Sequence, residues 1–302
     1  MNEEMSELTH GSEIPTLTVL AWGVMLIGSL LPNIVWFELT GTVPPWLIWI
    51  KLTVLGAFSL IALSLKALRP LVAFTIVLLV YLAASMFTAR FEFGIPSLQR
   101  FLGDGSFIRQ LQPEQFRNLT VSLVILIVLL ALGYSRRRMF LTPGHVRQPI
   151  TPVKWLGFPK PDSWVSFGGQ YSVYLALGTG AALWLTSGIS PGQLGGVLPS
   201  LPAILLMASL NAFNEEFVYR SSVLATLETR IGKKQVGLLS ATFFGIAHFW
   251  GVPSGFLGIA LATFMGWILT KAMLETRGFF WSWWIHFLQD VAIFTFLVAG
   301  SQ

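Results

Sequence analysis

Apolar residues in this chain gather in nine runs, near 17–37, 46–65, 71–88, 119–133, 168–188, 201–228, 235–250, 255–273 and 279–299. A helix needs about 20 such residues to cross a bilayer. The pattern predicts an all-α, polytopic transmembrane helix bundle of about 8–9 spans, and the run 235–250 is the weakest of the set. Two polar breaks stand out, 89–118 and 134–167. The second holds Pro143, Pro149, Pro152, Pro159 and Pro161, and prolines at this density mark a boundary rather than a helix. The chain is thereby divided into a membrane region 1–138 with four runs, a linker 139–167 and a helix bundle 168–302 with five. The break 89–118 is long and mixed in charge. Its Gln99-Arg-Phe-Leu and Phe107-Ile-Arg-Gln-Leu segments read as lying on the membrane surface.

Composition supports the membrane reading. The chain is 54% hydrophobic and only 11% charged, with mean hydropathy +0.70, against about 25% charged in soluble domains. Cysteine is absent, which excludes disulfides, thiolate metal sites and a cysteine nucleophile. Residues 1–16 carry four glutamates and no basic residue, so no signal peptide is expected there. The net charge of +5 sits in short loops without a continuous basic face. It reads as topology and excludes nucleic acid as a partner. Tryptophans near run ends, among them Trp36, Trp46, Trp164, Trp250 and Trp281, suggest interfacial belts.

Against this apolar background one stretch is out of place: Asn211-Ala-Phe-Asn-Glu-Glu-Phe-Val-Tyr-Arg220. A charge at mid-membrane costs at least about 2.5–3.5 kcal/mol on insertion scales, so such groups are kept for a use. Helical spacing lets Glu216 and Arg220 face each other, while Glu215 points about 100° away. Two later runs carry Phe244-Gly-Ile-Ala-His248 and His286-Phe-Leu-Gln-Asp290. Counted from the nearest basic loop residues, Glu216, His248, His286 and Asp290 lie 9 to 17 residues in, roughly 13 to 26 Å deep at about 1.5 Å per residue. Three helices are therefore expected to bring Glu215, His248, His286 and Asp290 together. Bland readings exist for each residue alone: a helix-stabilising Glu216–Arg220 pair, or histidines acting as interhelical donors. Glu228 and Glu275, beside basic residues at run ends, read as solvated.

Taken in order, Glu215-Glu216-x-x-x-Arg220, Phe244-x-x-x-His248 and His286-x-x-x-Asp290 resemble the CAAX-prenyl-protease and bacteriocin-processing (CPBP, or Abi) intramembrane endopeptidases over roughly residues 150–299, with Trp155-Leu-Gly-Phe-Pro-Lys-Pro161 similar to the family's lead-in. The resemblance implies a glutamic endopeptidase acting on a membrane-associated protein or peptide within the lipid bilayer. Glu215 would be the general base for a water positioned by His248, and His286 an oxyanion donor. Glu216 and Arg220 would form a supporting pair. The fourth position is Asp290, where well-known members carry asparagine. An ionised aspartate cannot stabilise an oxyanion, so Asp290 would either be protonated or, as the favoured reading, orient His286 through its other ring nitrogen. No cofactor is implied. Two alternatives stay open: a metal-dependent protease with zinc on Glu215, His248 and His286, and a non-catalytic transporter or immunity-type membrane protein. G-x-S-x-G, Walker and H-E-x-x-H motifs are missing, which excludes serine-hydrolase, P-loop and zincin chemistry.

Orientation follows from basic residues. Placing 134–167 in the cytoplasm puts thirteen lysines and arginines inside, from Lys66 to Arg277, and Lys51, Arg90, Arg100, Arg109 and Arg117 outside. This bias predicts an inner-membrane protein with the N-terminus cytoplasmic and the C-terminus extracytoplasmic. A reporter fused within 134–167 should register cytoplasm and one fused after Gln302 the outside; both on one side would refute five crossings after the linker.

Overall fold

The computed structural model describes residues 2–97 and 106–301. It is 78% helical and holds no strand among the described residues, only isolated bridges Pro149–Ser163 and Val153–Phe158. The helices are α1 (Asn2–Gly28), α2 (Leu31–Thr40), α3 (Leu47–Ser64), α4 (Val72–Thr88), α5 (Ser106–Ala131), α6 (Trp164–Ser187), α7 (Pro191–Gly195), α8 (Leu201–Glu216), α9 (Ser222–Ala247), α10 (Gly255–Thr276) and α11 (Phe280–Gly300). The surface segment expected at Gln99–Leu102 lies outside the described residues, and the one at Phe107–Leu111 falls within α5.

An all-α membrane architecture is borne out, but a count of 8–9 spans is not confirmed. Among the described residues six stretches are long and apolar enough to cross a membrane, or seven if the pair Pro15–Gly28 and Leu31–Thr40, bent by 54°, is one span. Two sources account for the difference. The runs 201–228 and 235–250 fall within one 57-residue stretch, Pro191–Ala247. In addition α6, diluted by glycines and hydroxyl residues, is not among the six.

Two compact units are formed, and both draw on sequence from either side of the proline-rich segment. The first comprises 1–86, 124–139 and 218–271. Here α1 packs on α3 and α9, and Trp22 Nε1 donates to Gln235 Oε1 at 3.3 Å. Lys51 is buried in α3 and donates to the Ser29 carbonyl at 2.7 Å and Asn33 Oδ1 at 3.1 Å. Where α9 meets α10, a Cβ on Gly245 would come within 2.8 Å of the Ile259 carbonyl oxygen. Gly232 interrupts α9 at φ 80°, ψ 159°, a conformation that other residues essentially do not adopt.

The second unit comprises 87–123, 140–217 and 272–302. Its centre is α11, packed against α6 and α8, with Met207, Ala208, Phe294 and Val298 in one apolar cluster. The linker stretch is ordered against this core. Ile150 N donates to the Asp162 carbonyl at 2.7 Å and Trp164 N to the Gln148 carbonyl at 2.9 Å. Ser163 caps α6 by accepting from Ser166 N. Trp164 and Trp281, expected in interfacial belts, are instead buried. Their indole N–H groups donate to Glu275 Oε2 at 3.0 Å and to the Val146 carbonyl at 2.9 Å. Glu275 therefore holds the linker stretch instead of being merely solvated.

Gly144 sits where that stretch meets the turn after α10. His145 N donates to the Thr276 carbonyl and Phe279 N to the Thr142 carbonyl, both at 2.7 Å. Gly144 has φ 75°, and a Cβ there would lie 2.6 Å from the Thr276 carbonyl oxygen. Gly157 has φ 84° with nothing within 4 Å of its Cβ position. Strain alone costs about 1–3 kcal/mol, and overpacking against backbone adds a comparable amount. Gly144→Ala should therefore lower the melting temperature in detergent more than Gly157→Ala does; equal shifts would refute the close approach.

Candidate active site

The acidic groups arrive on two helices of the second unit. α8 ends at Glu216 and presents Glu215 and Glu216 in its last turn. From α11 come Ser282, His286 and Asp290, whose four-residue spacing sets them one above another on one face. The stretch after Glu216 was expected to continue as regular helix. It forms a π-turn, Phe217–Ser221, before α9 resumes; such turns concentrate at functional sites.

His286 is the hub. Its Nδ1–H donates to Glu216 Oε1 at 2.7 Å, and the Ser282 hydroxyl donates to Glu216 Oε2. Glu216, with a fully buried side chain, thus bridges two residues one turn apart on α11. A carboxylate only accepts, so the Nδ1 proton is placed by this bond. Nε2 then faces two further carboxyl groups, Glu215 Oε2 and Asp290 Oδ2, each at 3.6 Å. Asn211 Nδ2 donates to Asp290 Oδ2 at 3.0 Å. Access differs sharply within the cluster: the Glu215 side chain is 23% exposed, against 3% for His286 and 7% for Asp290.

The second unit therefore brings together Glu215, Glu216, His286 and Asp290. His248 and Arg220 belong to the first unit. There His248 Nδ1–H donates to the Phe244 carbonyl at 2.8 Å, leaving Nε2 for other partners. The Phe244 ring lies 4.3 Å from the imidazole and 4.0 Å from the Arg220 guanidinium carbon, in a cation–π contact. Phe244, quoted above only as part of a motif, is thus the residue both of them touch.

One expectation is corrected. The bond that orients His286 was assigned to Asp290, yet Nδ1 is bound to Glu216 and Asp290 faces Nε2 beside Glu215. The two adjacent glutamates of α8 meet both ring nitrogens, Glu216 at Nδ1 and Glu215 at Nε2, and the i, i+4 partner Asp290 shares the Nε2 side. Ser282 and Asn211 were missed. Asn211 had a signal, being polar inside an apolar run, whereas Ser282 in Trp281-Ser-Trp-Trp had none. Among the described residues no group of three or more histidine, aspartate or glutamate side chains is disposed to hold a metal ion.

Comparison with known proteins adds one independent observation. A family described as type II CAAX prenyl endopeptidase Rce1-like matches residues 197–292, roughly a third of the chain and all three motifs. No curated protein and no solved structure matches the chain. The match agrees with the resemblance carried by the motifs, and residues 197–292 are accordingly Rce1-like, consistent with the CPBP family of CAAX proteases.

Proposed function

We propose that this multi-pass membrane protein is an intramembrane endopeptidase that hydrolyses a peptide bond of a membrane-associated protein or peptide through a water activated by Glu215. The observation that carries the reading is the unequal access around His286. Of the three carboxyl groups in contact with the imidazole, only Glu215 keeps substantial exposure, 23% against 7% and 0%. A base must reach both solvent water and substrate, and Glu215 meets that requirement. Glu216, which accepts from His286 Nδ1 and Ser282, is the support that fixes the ring. With Nδ1 engaged, His286 Nε2 is the nitrogen turned to the reacting carbonyl, where a protonated ring would donate to the oxyanion. By the resemblance of Phe244-x-x-x-His248 to the family's motif, His248 is assigned to positioning that water.

The family match supports peptidase chemistry and a peptide or protein substrate. Within the proposal the mechanism is of the glutamic type and needs no metal. Orientation follows the charge bias, N-terminus in and C-terminus out. The 57-residue stretch Pro191–Ala247 would be about 85 Å long as straight helix, far beyond a core of about 30 Å. We count it as two passes separated at Gly232.

Three variants measured on one quenched peptide substrate test the reading. Glu215→Gln keeps shape and should abolish turnover at wild-type abundance. Asp290→Asn should retain part of the activity, because the amide oxygen still accepts and its NH2 can donate to the oxyanion. Ser282→Ala withdraws one donor from buried Glu216 and should cost about 1–3 kcal/mol of stability while sparing most turnover of the folded fraction. Activity should also persist in a strong chelator. Turnover by Glu215→Gln at the wild-type rate would sink the assignment.

A further inference from the structure

Asp290 is not held by His286 alone. Behind it, inside the second unit, runs a line of buried amides. Ser122 Oγ donates to Asn214 Oδ1 at 3.2 Å. Asn214 Nδ2 donates to the Gln115 carbonyl at 3.2 Å and lies 3.5 Å from Gln115 Oε1. Gln115 Nε2 donates to Asn211 Oδ1 at 2.9 Å, and Asn211 Nδ2 to Asp290 Oδ2 at 3.0 Å. Ser122, Asn214, Gln115 and Asp290 are all buried. Asn211 turns its NH2 to Asp290 and its carbonyl to Gln115, and Gln115 turns its own NH2 to Asn211. Each link thus donates toward Asp290, and bonds aligned in this way polarise one another.

Polar side chains buried at membrane depth are expensive, and an interhelical bond of this kind returns only a modest stabilisation. Four in a row ending on one carboxyl group are difficult to explain as packing. We infer that Gln115 and Asn211 are positioning residues for Asp290, and that α5 thereby forms part of the site, although Gln115 lies outside the matched segment 197–292. The inference rests on the proposed peptidase reading for its catalytic consequence, but the contact itself does not. It also bears on the residue at 290. With aspartate there, an acceptor-only side chain faces the amide line, and Asn211 is the donor it requires.

The experiment uses the full-length protein reconstituted in phosphatidylcholine vesicles with an internally quenched peptide library. Gln115→Met removes the donor to Asn211 at similar volume. Gln112→Met is the control: Gln112 is fully buried one turn earlier on α5, and its Nε2 donates to the Ile95 carbonyl, outside the line. The infrared carboxyl band that Asp290→Asn removes should shift in Gln115→Met and stay in place in Gln112→Met. In turnover, Gln115→Met should lower kcat about tenfold with KM unchanged, and lower it less than about twofold further in the Asp290→Asn background, as coupled sites do. An unmoved band, an equal shift from Gln112→Met, or an undiminished tenfold loss on top of Asp290→Asn would overturn the inference. If wild type cleaves no peptide the peptidase reading fails, while the band still decides whether the line holds Asp290. Should Gln115→Met not fold, Gln115→Leu, which also lacks the donor and adds no charge, is read in its place.

Discussion

A carboxylate buried between apolar helices has to receive its hydrogen bonds from the protein, because no water reaches it. The bond from His286 Nδ1 to Glu216 meets that constraint, and the rest of the site depends on it. It ties the last turn of α8 to the middle of α11 and fixes which ring nitrogen carries the proton. It also turns Nε2 toward Glu215 and Asp290. Ser282 holds its other oxygen, and the Glu216 side chain is fully buried, which leaves its neighbour Glu215 as the more exposed of the two.

The same constraint is met elsewhere in different ways. Arg220, fully buried in the first unit, rests on the face of Phe244, and the same ring borders His248. Lys51 spends its ammonium on a backbone carbonyl released where α1 and α2 bend apart and on Asn33. Trp164 and Trp281 bury their rings and hand their N–H groups to Glu275 and Val146. In each case a polar group at membrane depth is matched to an acceptor or a π-face, and the matching partner defines local structure. The proline-rich stretch illustrates this. It carries little hydrophobicity, yet it is ordered because its backbone and Trp164 close onto the turn before α11.

A proposed peptidase mechanism gains from this arrangement because each proton has a defined place before substrate arrives. Preorganised donors do not have to reorient during reaction, which is the main source of oxyanion stabilisation in enzyme sites. An amide line behind Asp290 extends the same logic to a third helix. It gives a polar reason for part of the N-terminal region, which the motifs by themselves leave without a role.

Much of this was legible in the order of residues. Apolar runs far longer than any soluble helix requires dictated a helical membrane protein, since backbone groups in lipid can be satisfied only within helices or closed barrels. Glu215, Glu216, His286 and Asp290 were legible because charge inside such runs is costly and therefore conspicuous. Helical periodicity also put His286 and Asp290 on one face correctly. It could not show the π-turn at Phe217–Ser221 or the interruption at Gly232, because both depend on how neighbouring turns pack and not on composition. Nor could it say which carboxylate would meet which ring nitrogen. That choice belongs to how α8 and α11 pack on each other, along a contact that includes Met207 and Phe294 in one apolar cluster. Ser282 became part of the site only through that packing, as did the line from Gln115 to Asp290: residues 175 positions apart in the chain are joined because tertiary packing brings α5, α8 and α11 within hydrogen-bond reach.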